Sequence, residues 1–144
     1  GVILLALSRR NVLRVFHLSG MICVALFFWW LSANLAQPGI LPVVKWGAAA
    51  CGFFVVATFS FWGNYLPLVY PVHLRGTGES FAANIGGRIL GTSAAWFTFT
   101  FSAASPPNPS RIALTAAGVA VAFALVGAIL THWLPEPDPA AIND

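Results

Sequence analysis

Four long apolar runs, each almost free of charge, constrain what this chain can fold into. They cover residues 15–33, 41–69, 80–101 and 111–134. A helix that crosses the ~30 Å hydrocarbon core of a bilayer needs about 20 apolar residues. Only 8% of the residues are charged and 58% are hydrophobic, whereas soluble domains carry about 25% charged residues. The sequence therefore predicts an all-α membrane protein with four transmembrane helices.

The segments that separate and follow these runs contain residues that end helices. Prolines occur in residues 36–39, 105–110 and 135–139, and proline in a helix interior removes a hydrogen bond and clashes with the preceding turn. Residues 1–7 are apolar and are predicted to be the end of a preceding span, because no charged segment typical of a signal peptide comes before them. Residues 135–144 are predicted to form a polar tail. The chain is thus expected to be the C-terminal part of a longer membrane protein.

The distribution of basic residues predicts the orientation in the membrane. With four spans, one side of the membrane carries four of them: Arg9, Arg10, Arg14 and Arg75. The other side carries Lys45 and Arg111. Cytoplasmic loops are enriched in Lys and Arg, so the first side and the C-terminus are predicted to be cytoplasmic. We expect a multi-pass protein of the cell membrane, which in a bacterium is the inner membrane. The lipid bilayer is expected as a partner, and nucleic acid is not.

The third run carries a polar stripe with four-residue spacing, which places its members on one helix face. Its members are Ser80, Asn84, Arg88 and Thr92. Arg88 would lie about 13 Å from the start of its span, where a charge is costly. The chain offers no acidic residue at that depth, so the partner of Arg88 is predicted to be another part of the protein or an anionic substrate. The alternative is a packing seam whose polar groups are satisfied.

The second run ends with Thr58, Trp62, Asn64 and Tyr65, which could line a cavity. Trp62 and Tyr65 also suit anchors at the membrane interface. Cys23 and Cys51 are interpreted as small buried hydrophobic residues. The sequence has no metal-ligand spacing, no phosphate-binding loop and no nucleophile–His–acid set. It predicts no enzyme activity, no cofactor and no metal.

The connector at residues 67–78 contains Pro67, Pro71 and the run Arg75-Gly76-Thr77-Gly78, and it is followed by Phe81, Asn84, Gly87 and Arg88. This pattern resembles the segment between helices ten and eleven of sugar- and metabolite-type members of the major facilitator superfamily. Ser8-Arg9-Arg10 is similar to the basic loop between helices eight and nine. Leu68 stands where the pattern usually has Glu, and one extra residue separates Asn84 from Arg88.

The resemblance covers essentially the whole chain and implies helices nine to twelve, the last third of a twelve-helix fold. It implies a secondary active transporter that works by alternating access around a site near the membrane midplane. Symport or antiport of a sugar or an organic acid, coupled to an ion or a proton, is expected, and the missing N-terminal part of the transporter is expected as a partner.

Two sets of candidate residues follow. The candidates for the substrate cavity are Thr58, Trp62, Asn64, Tyr65, Asn84 and Arg88. The candidates for a cytoplasmic hinge are Arg9, Arg10, Arg75, Gly76, Gly78 and Glu79. The alternative is a complete small four-span membrane protein, either an exporter or a membrane-anchored assembly partner. Small exporters of that kind typically need a carboxylate in an early span, and this chain has none.

Overall fold

The computed structural model describes residues 9–135, which form helices and turns without any strand. The helices are α1 Arg9–Asn34, α2 Leu41–Val69, α3 Arg75–Phe81, α4 Gly87–Ser102 and α5 Pro109–Leu130. Short 3₁₀ turns form at Val72–Leu74 and Thr131–Trp133, and a π turn forms at Ala82–Gly86. Three helices, namely α1, α2 and α5 with the turn that follows it, are long and apolar enough to cross a membrane. The prediction of an all-helical fold is confirmed for these residues, and the three apolar helices are compatible with a multi-pass membrane protein.

Local sequence explains where α2 and α5 begin. Gly39 has φ +75°, a left-handed conformation that favours glycine, and it reverses the chain before α2. α5 begins at Pro109, whose missing N–H is no loss in a first turn. The Asn108 side chain accepts a hydrogen bond from the Arg111 backbone N–H at 3.1 Å, as an N-cap does.

The irregular part of the connector is shorter than the predicted 67–78. α2 continues through Pro67 to Val69, and α3 already begins at Arg75. Pro67 lies inside the last turn of α2. The chain leaves the helix at Tyr70, with φ −90° and ψ 141°, because a residue before a proline disfavours the helical region.

The predicted third span, 80–101, is divided among three elements. Its longest uninterrupted α-helix, α4, has 16 residues and falls short of a membrane span. Phe81 and Gly87 nevertheless keep helical backbone angles on both sides of the π turn, so the chain follows a helical path from 75 to 102. A π turn closes its hydrogen bond over five residues instead of four.

α1 is the organising helix of the bundle. It packs along α5 and against α2, while α4 packs against α5 and α2 meets α3. Small residues allow this close approach: a β-carbon on Gly127 of α5 would lie 2.8 Å from the His17 imidazole of α1. α1 and α5 run antiparallel, so that Arg10 and Arg14 meet the segment after α5.

Large apolar side chains cover the outside of the helices. Phe53, Phe59 and Ile89 are each more exposed than buried, and Trp29 and Trp46 lie exposed near the α1–α2 loop. Apolar surface of this kind suits contact with lipid, and tryptophans near a loop suit the membrane interface. The predictions for residues 1–7 and for the tail after Pro135 concern parts of the chain outside the described residues.

Candidate functional site

A cavity of about 460 Å³ opens between α1, α2 and the π turn. Sites for small molecules commonly have volumes of about 300–1,000 Å³ and mainly apolar walls with few polar groups. The polar or amphipathic members of this wall are His17, Thr58 and Trp62. The cavity is therefore the candidate functional site.

The α2 wall presents Thr58 and Trp62, which lie one turn apart and share a face. Thr58 Oγ1 donates to the Phe54 carbonyl at 2.9 Å, which leaves its lone pairs able to accept a hydrogen bond. The Trp62 ring contacts Phe61 and Tyr65 edge-on, with centroid distances of 5.6 and 5.7 Å. This aromatic cluster fixes the position of the indole in the wall.

The opposite wall consists of Ala82, Ala83, Gly86 and Gly87, which have little or no side chain, together with Leu90. No atom lies within 4 Å of where a β-carbon on Gly86 or Gly87 would be. The small residues at this point leave open space rather than a helix contact. The π turn produces this wall, and π turns inside helices are frequent at functional sites.

His17 is the titratable residue of the cavity that the sequence did not point to. Its Nε2 lies 2.8 Å from the Ala124 carbonyl oxygen, and a carbonyl only accepts, so Nε2 carries the proton and donates. The first span was predicted to begin at residue 15, but α1 begins at Arg9, which puts His17 about two turns inside the helix. The available signal was its four-residue spacing from Leu13, an apolar residue on the same helix face.

The other two residues of α2 that were predicted to line a cavity, Asn64 and Tyr65, do not line this one. Asn64 is exposed and donates from Nδ2 to the Ser60 carbonyl at 2.9 Å. Tyr65 is buried, stacks on Phe61 with a centroid distance of 5.4 Å, and donates its hydroxyl to the Pro135 carbonyl. Tyr65 thus packs against Trp62, and its hydroxyl links this part of α2 to the segment after α5.

The polar stripe lies outside the cavity as well. Asn84 donates from Nδ2 to the Ser80 carbonyl at 3.0 Å and to Ser80 Oγ at 3.3 Å, and both residues line a shallow, open depression. Arg88 is exposed, and within residues 9–135 it makes no hydrogen bond or ion pair. It lies 13 residues from Arg75 and 14 from Ser102, about 20 Å from either end of the helical path. The roles of Asn84 and Arg88 in substrate binding stay predictions.

Basic residues of α1 hold the segment after α5. Arg10 Nη2 donates to the Leu134 carbonyl at 2.6 Å, and Arg14 Nε donates to Thr131 Oγ1 at 3.0 Å. Arg14 Nη2 lies 3.2 Å from His132 Nδ1; since a guanidinium only donates, this imidazole nitrogen accepts. These partners are more than 110 residues apart in sequence, which is why the predicted hinge included Arg10 but not the residues after α5.

The other hinge candidates lie around Tyr70. Arg75 Nε donates to the Tyr70 carbonyl at 3.4 Å, and a β-carbon on Gly78 would lie 2.8 Å from Tyr70 Cε1. Gly76 faces open space. Within residues 9–135, Glu79 forms an ion pair with neither His73 nor Arg75. Arg9 is also a hinge candidate, and its side chain lies outside the part of the chain that the structure describes.

The described residues contain no cluster of three or more His, Cys, Asp or Glu side chains that could hold a metal ion. Comparison of the chain with known protein families, with curated proteins and with solved structures finds no match in any of the three. Proposals about function therefore depend on the sequence pattern and on the geometry of the cavity.

The contact between His17 and α5 can be tested with Gly127→Ala. The added methyl group would lie 2.8 Å from His17 Nε2, so the ring must move and lose its bond to the Ala124 carbonyl. We expect a destabilisation of about 1–3 kcal/mol, as for other overpacked contacts, measured as thermal unfolding in detergent. The matched control is Gly118→Ala in the same helix, whose β-carbon meets nothing within 4 Å. Equal melting temperatures for the two variants would contradict the contact.

Proposed function

We propose that this chain is the C-terminal part of a secondary active transporter of the major facilitator type, which moves a sugar or an organic acid across a membrane by alternating access. The observation that supports the proposal most strongly is the cavity of about 460 Å³ between α1, α2 and the π turn. It lies in a bundle of membrane-type helices, beside the connector whose residues resemble that family. In such transporters solutes bind between helices near the membrane midplane.

The chemistry of the walls favours a small solute with both an apolar and a polar side. The Trp62 indole offers a flat surface against which an apolar ring face can pack, and its N–H can donate. The Thr58 hydroxyl can accept a hydrogen bond, because its proton is engaged with the Phe54 carbonyl. The glycine and alanine wall lets a ligand approach the helix backbone closely.

In the proposed transporter, the π turn would accommodate the departure from the family pattern in this region. One extra residue separates Asn84 from Arg88, and the turn Ala82–Gly86 closes over one more residue than an α turn does. An insertion absorbed in this way leaves the helical path on both sides intact. In the proposed transporter Arg88 lies midway along this path, where it would pair with the missing part of the protein or with an anionic group of the substrate.

We also propose that residues 75–102 cross the membrane between α2 and α5, which brings the number of spans to four. Tyr65 near the end of α2 and Arg10 near the start of α1 both bond to the segment that follows α5, so these ends lie on one side of the bundle. α5 has 22 residues and therefore starts about 33 Å away. The end of α4 is near that start, because Arg111 Nη2 donates to the Phe101 carbonyl at 3.3 Å. The chain between α2 and α5 must cover this distance.

Labelling of single cysteines tests the fourth span and its orientation. With Cys23 and Cys51 replaced by alanine, an impermeant maleimide should label Ala104→Cys on intact cells and His73→Cys only after permeabilisation. Gln37→Cys in the α1–α2 loop is the control and should be labelled on intact cells. Labelling of positions 73 and 104 from the same side would contradict a span between them.

The transport function is tested with the full-length protein. Its coding region is read from upstream of this chain and includes it. Thermal unfolding is screened against monosaccharides and di- and tricarboxylates, and each stabilising compound is then tested as a radiolabelled solute for counterflow in proteoliposomes. Saturable counterflow of one compound is the expected result. A start codon directly before Gly1, or the absence of both stabilisation and counterflow across the panel, would favour a small four-span exporter or an assembly partner instead.

A further inference from the structure

The thiols of Cys23 and Cys51 lie side by side although they belong to different helices. Their Sγ atoms are 3.9 Å apart, both side chains are half-buried, and both thiols are free. Cys23 lies 11 residues before the end of α1 and Cys51 lies 10 residues after the start of α2. Each thiol is thus about 15 Å from the connecting loop, close to mid-membrane.

Two contacts between glycine and phenylalanine hold the helices in the register that pairs the thiols. About one turn below the thiols, a β-carbon on Gly20 would lie 3.1 Å from Phe54 Cβ, and about one turn above, a β-carbon on Gly47 would overlap the Phe27 ring. The steps of three and four residues along α1 match the same steps back along α2. A large residue packs against a glycine on each side of the pair, so the thiols face each other because of helix packing and not because of a chance rotamer.

The spacing of the thiols suits a single thiophilic centre. Two thiolates that share one centre at about 2.3 Å each must lie within about 4.6 Å of each other, and the 3.9 Å between Cys23 and Cys51 meets this limit. Zinc needs four ligands, and residues 9–135 contain no cluster of three or more potential ligands. The site thus fits a centre that is satisfied by two thiolates.

The surroundings favour a complex without net charge. A charged complex at mid-membrane depth is costly. A trivalent organoarsenical of the arsine oxide type, R–As=O, reacts with two thiols to form two As–S bonds. Both S–H bonds and the As=O bond break, one water leaves, and arsenic stays trivalent, so no oxidant is needed. The product is neutral.

From this geometry we propose that Cys23 and Cys51 form a dithiol site that binds trivalent organoarsenicals as a neutral bis-thiolate bridging α1 and α2. The site is separate from the cavity, since neither cysteine lines it. The proposal does not depend on transport activity. Loss of either thiol removes the chelate, and the intramolecular second bond is worth about a hundredfold or more in apparent affinity.

The test uses the full chain in detergent micelles with phenylarsine oxide as the probe and N-ethylmaleimide as the reporter of free thiols. One equivalent of phenylarsine oxide should protect both thiols. Mass spectrometry should show one adduct per chain, and 2,3-dimercaptopropanol but not 2-mercaptoethanol should reverse it. Cys23→Ser and Cys51→Ser should each react with maleimide and should each lose protection by about a hundredfold in arsenical concentration.

Several results would overturn the proposal. The proposal would be overturned if the wild-type thiols still react with maleimide after treatment with phenylarsine oxide. This measurement needs no variant. Two arsenicals bound per chain, or single variants protected as well as the wild type, would show independent thiols. Maleimide reactivity that appears only after a reductant is added would show a disulfide instead. Alanine replacements repeat the comparison if either serine variant fails to fold.

Discussion

Gly87→Leu is expected to reduce strongly the stabilisation of the protein by its solute while leaving the unliganded protein at least as stable as before. Gly87 lines the cavity, and its backbone has φ −62° and ψ −40°, a helical conformation that leucine adopts readily. The place of its β-carbon meets no atom within 4 Å, so the new side chain enters open space. Leucine also has a higher helix propensity than glycine, by up to about 1 kcal/mol.

The measurement is the ligand-induced rise in melting temperature, followed by counterflow in proteoliposomes. A leucine side chain placed in the cavity should lower apparent affinity by at least about tenfold, since steric exclusion of a bound group readily exceeds 1.4 kcal/mol. The matched control is Gly91→Leu, which lies one turn further along α4, faces open space and does not line the cavity. If Gly87→Leu binds as the wild type does, the cavity is not the solute site.

Gly47→Ala is expected to separate α1 from α2 and to lower thermal stability. The methyl group would overlap the Phe27 ring, which lies directly over the Gly47 backbone. The ring must leave its place on α2, and overpacking of this kind costs about 1–3 kcal/mol. Thermal unfolding in detergent, followed by circular dichroism, measures the loss.

Gly52→Ala is the control for this prediction because it lies in the same helix and its β-carbon would meet nothing within 4 Å. It should be neutral or slightly stabilising through helix propensity. A Gly47→Ala protein as stable as Gly52→Ala would mean that Phe27 does not pack on α2 in solution, and the register that pairs the two thiols would lose its support.

Helix ends were predictable where they depend on nearby residues. α2 spans Leu41–Val69, the same bounds as the predicted run, because Gly39 before it and Pro71 after it act on their own neighbourhood. α5 begins two residues before its predicted start, at Pro109 with its Asn108 cap. The connector was predicted too long at its far end, because α3 already begins at Arg75.

The candidate site was only partly predictable. Thr58 and Trp62 were chosen for their helical spacing, and both line the cavity. The π turn was not predicted, because apolar and polar spacing in residues 80–101 looks the same for a plain α-helix. Its effect is to turn Ala82, Ala83, Gly86 and Gly87 into an open wall, which no local pattern encodes.

By itself, the sequence determined that this chain forms membrane-type helices, where α2 begins and ends, and which faces are polar. Those properties follow from apolar periodicity and from the backbone limits of proline and glycine, which act within a few residues. Only the tertiary structure brought His17 against Ala124, Cys23 against Cys51 and Arg14 against His132. Such pairs depend on the register and rotation of one helix against another, which the packing of glycines and large side chains across the interface decides.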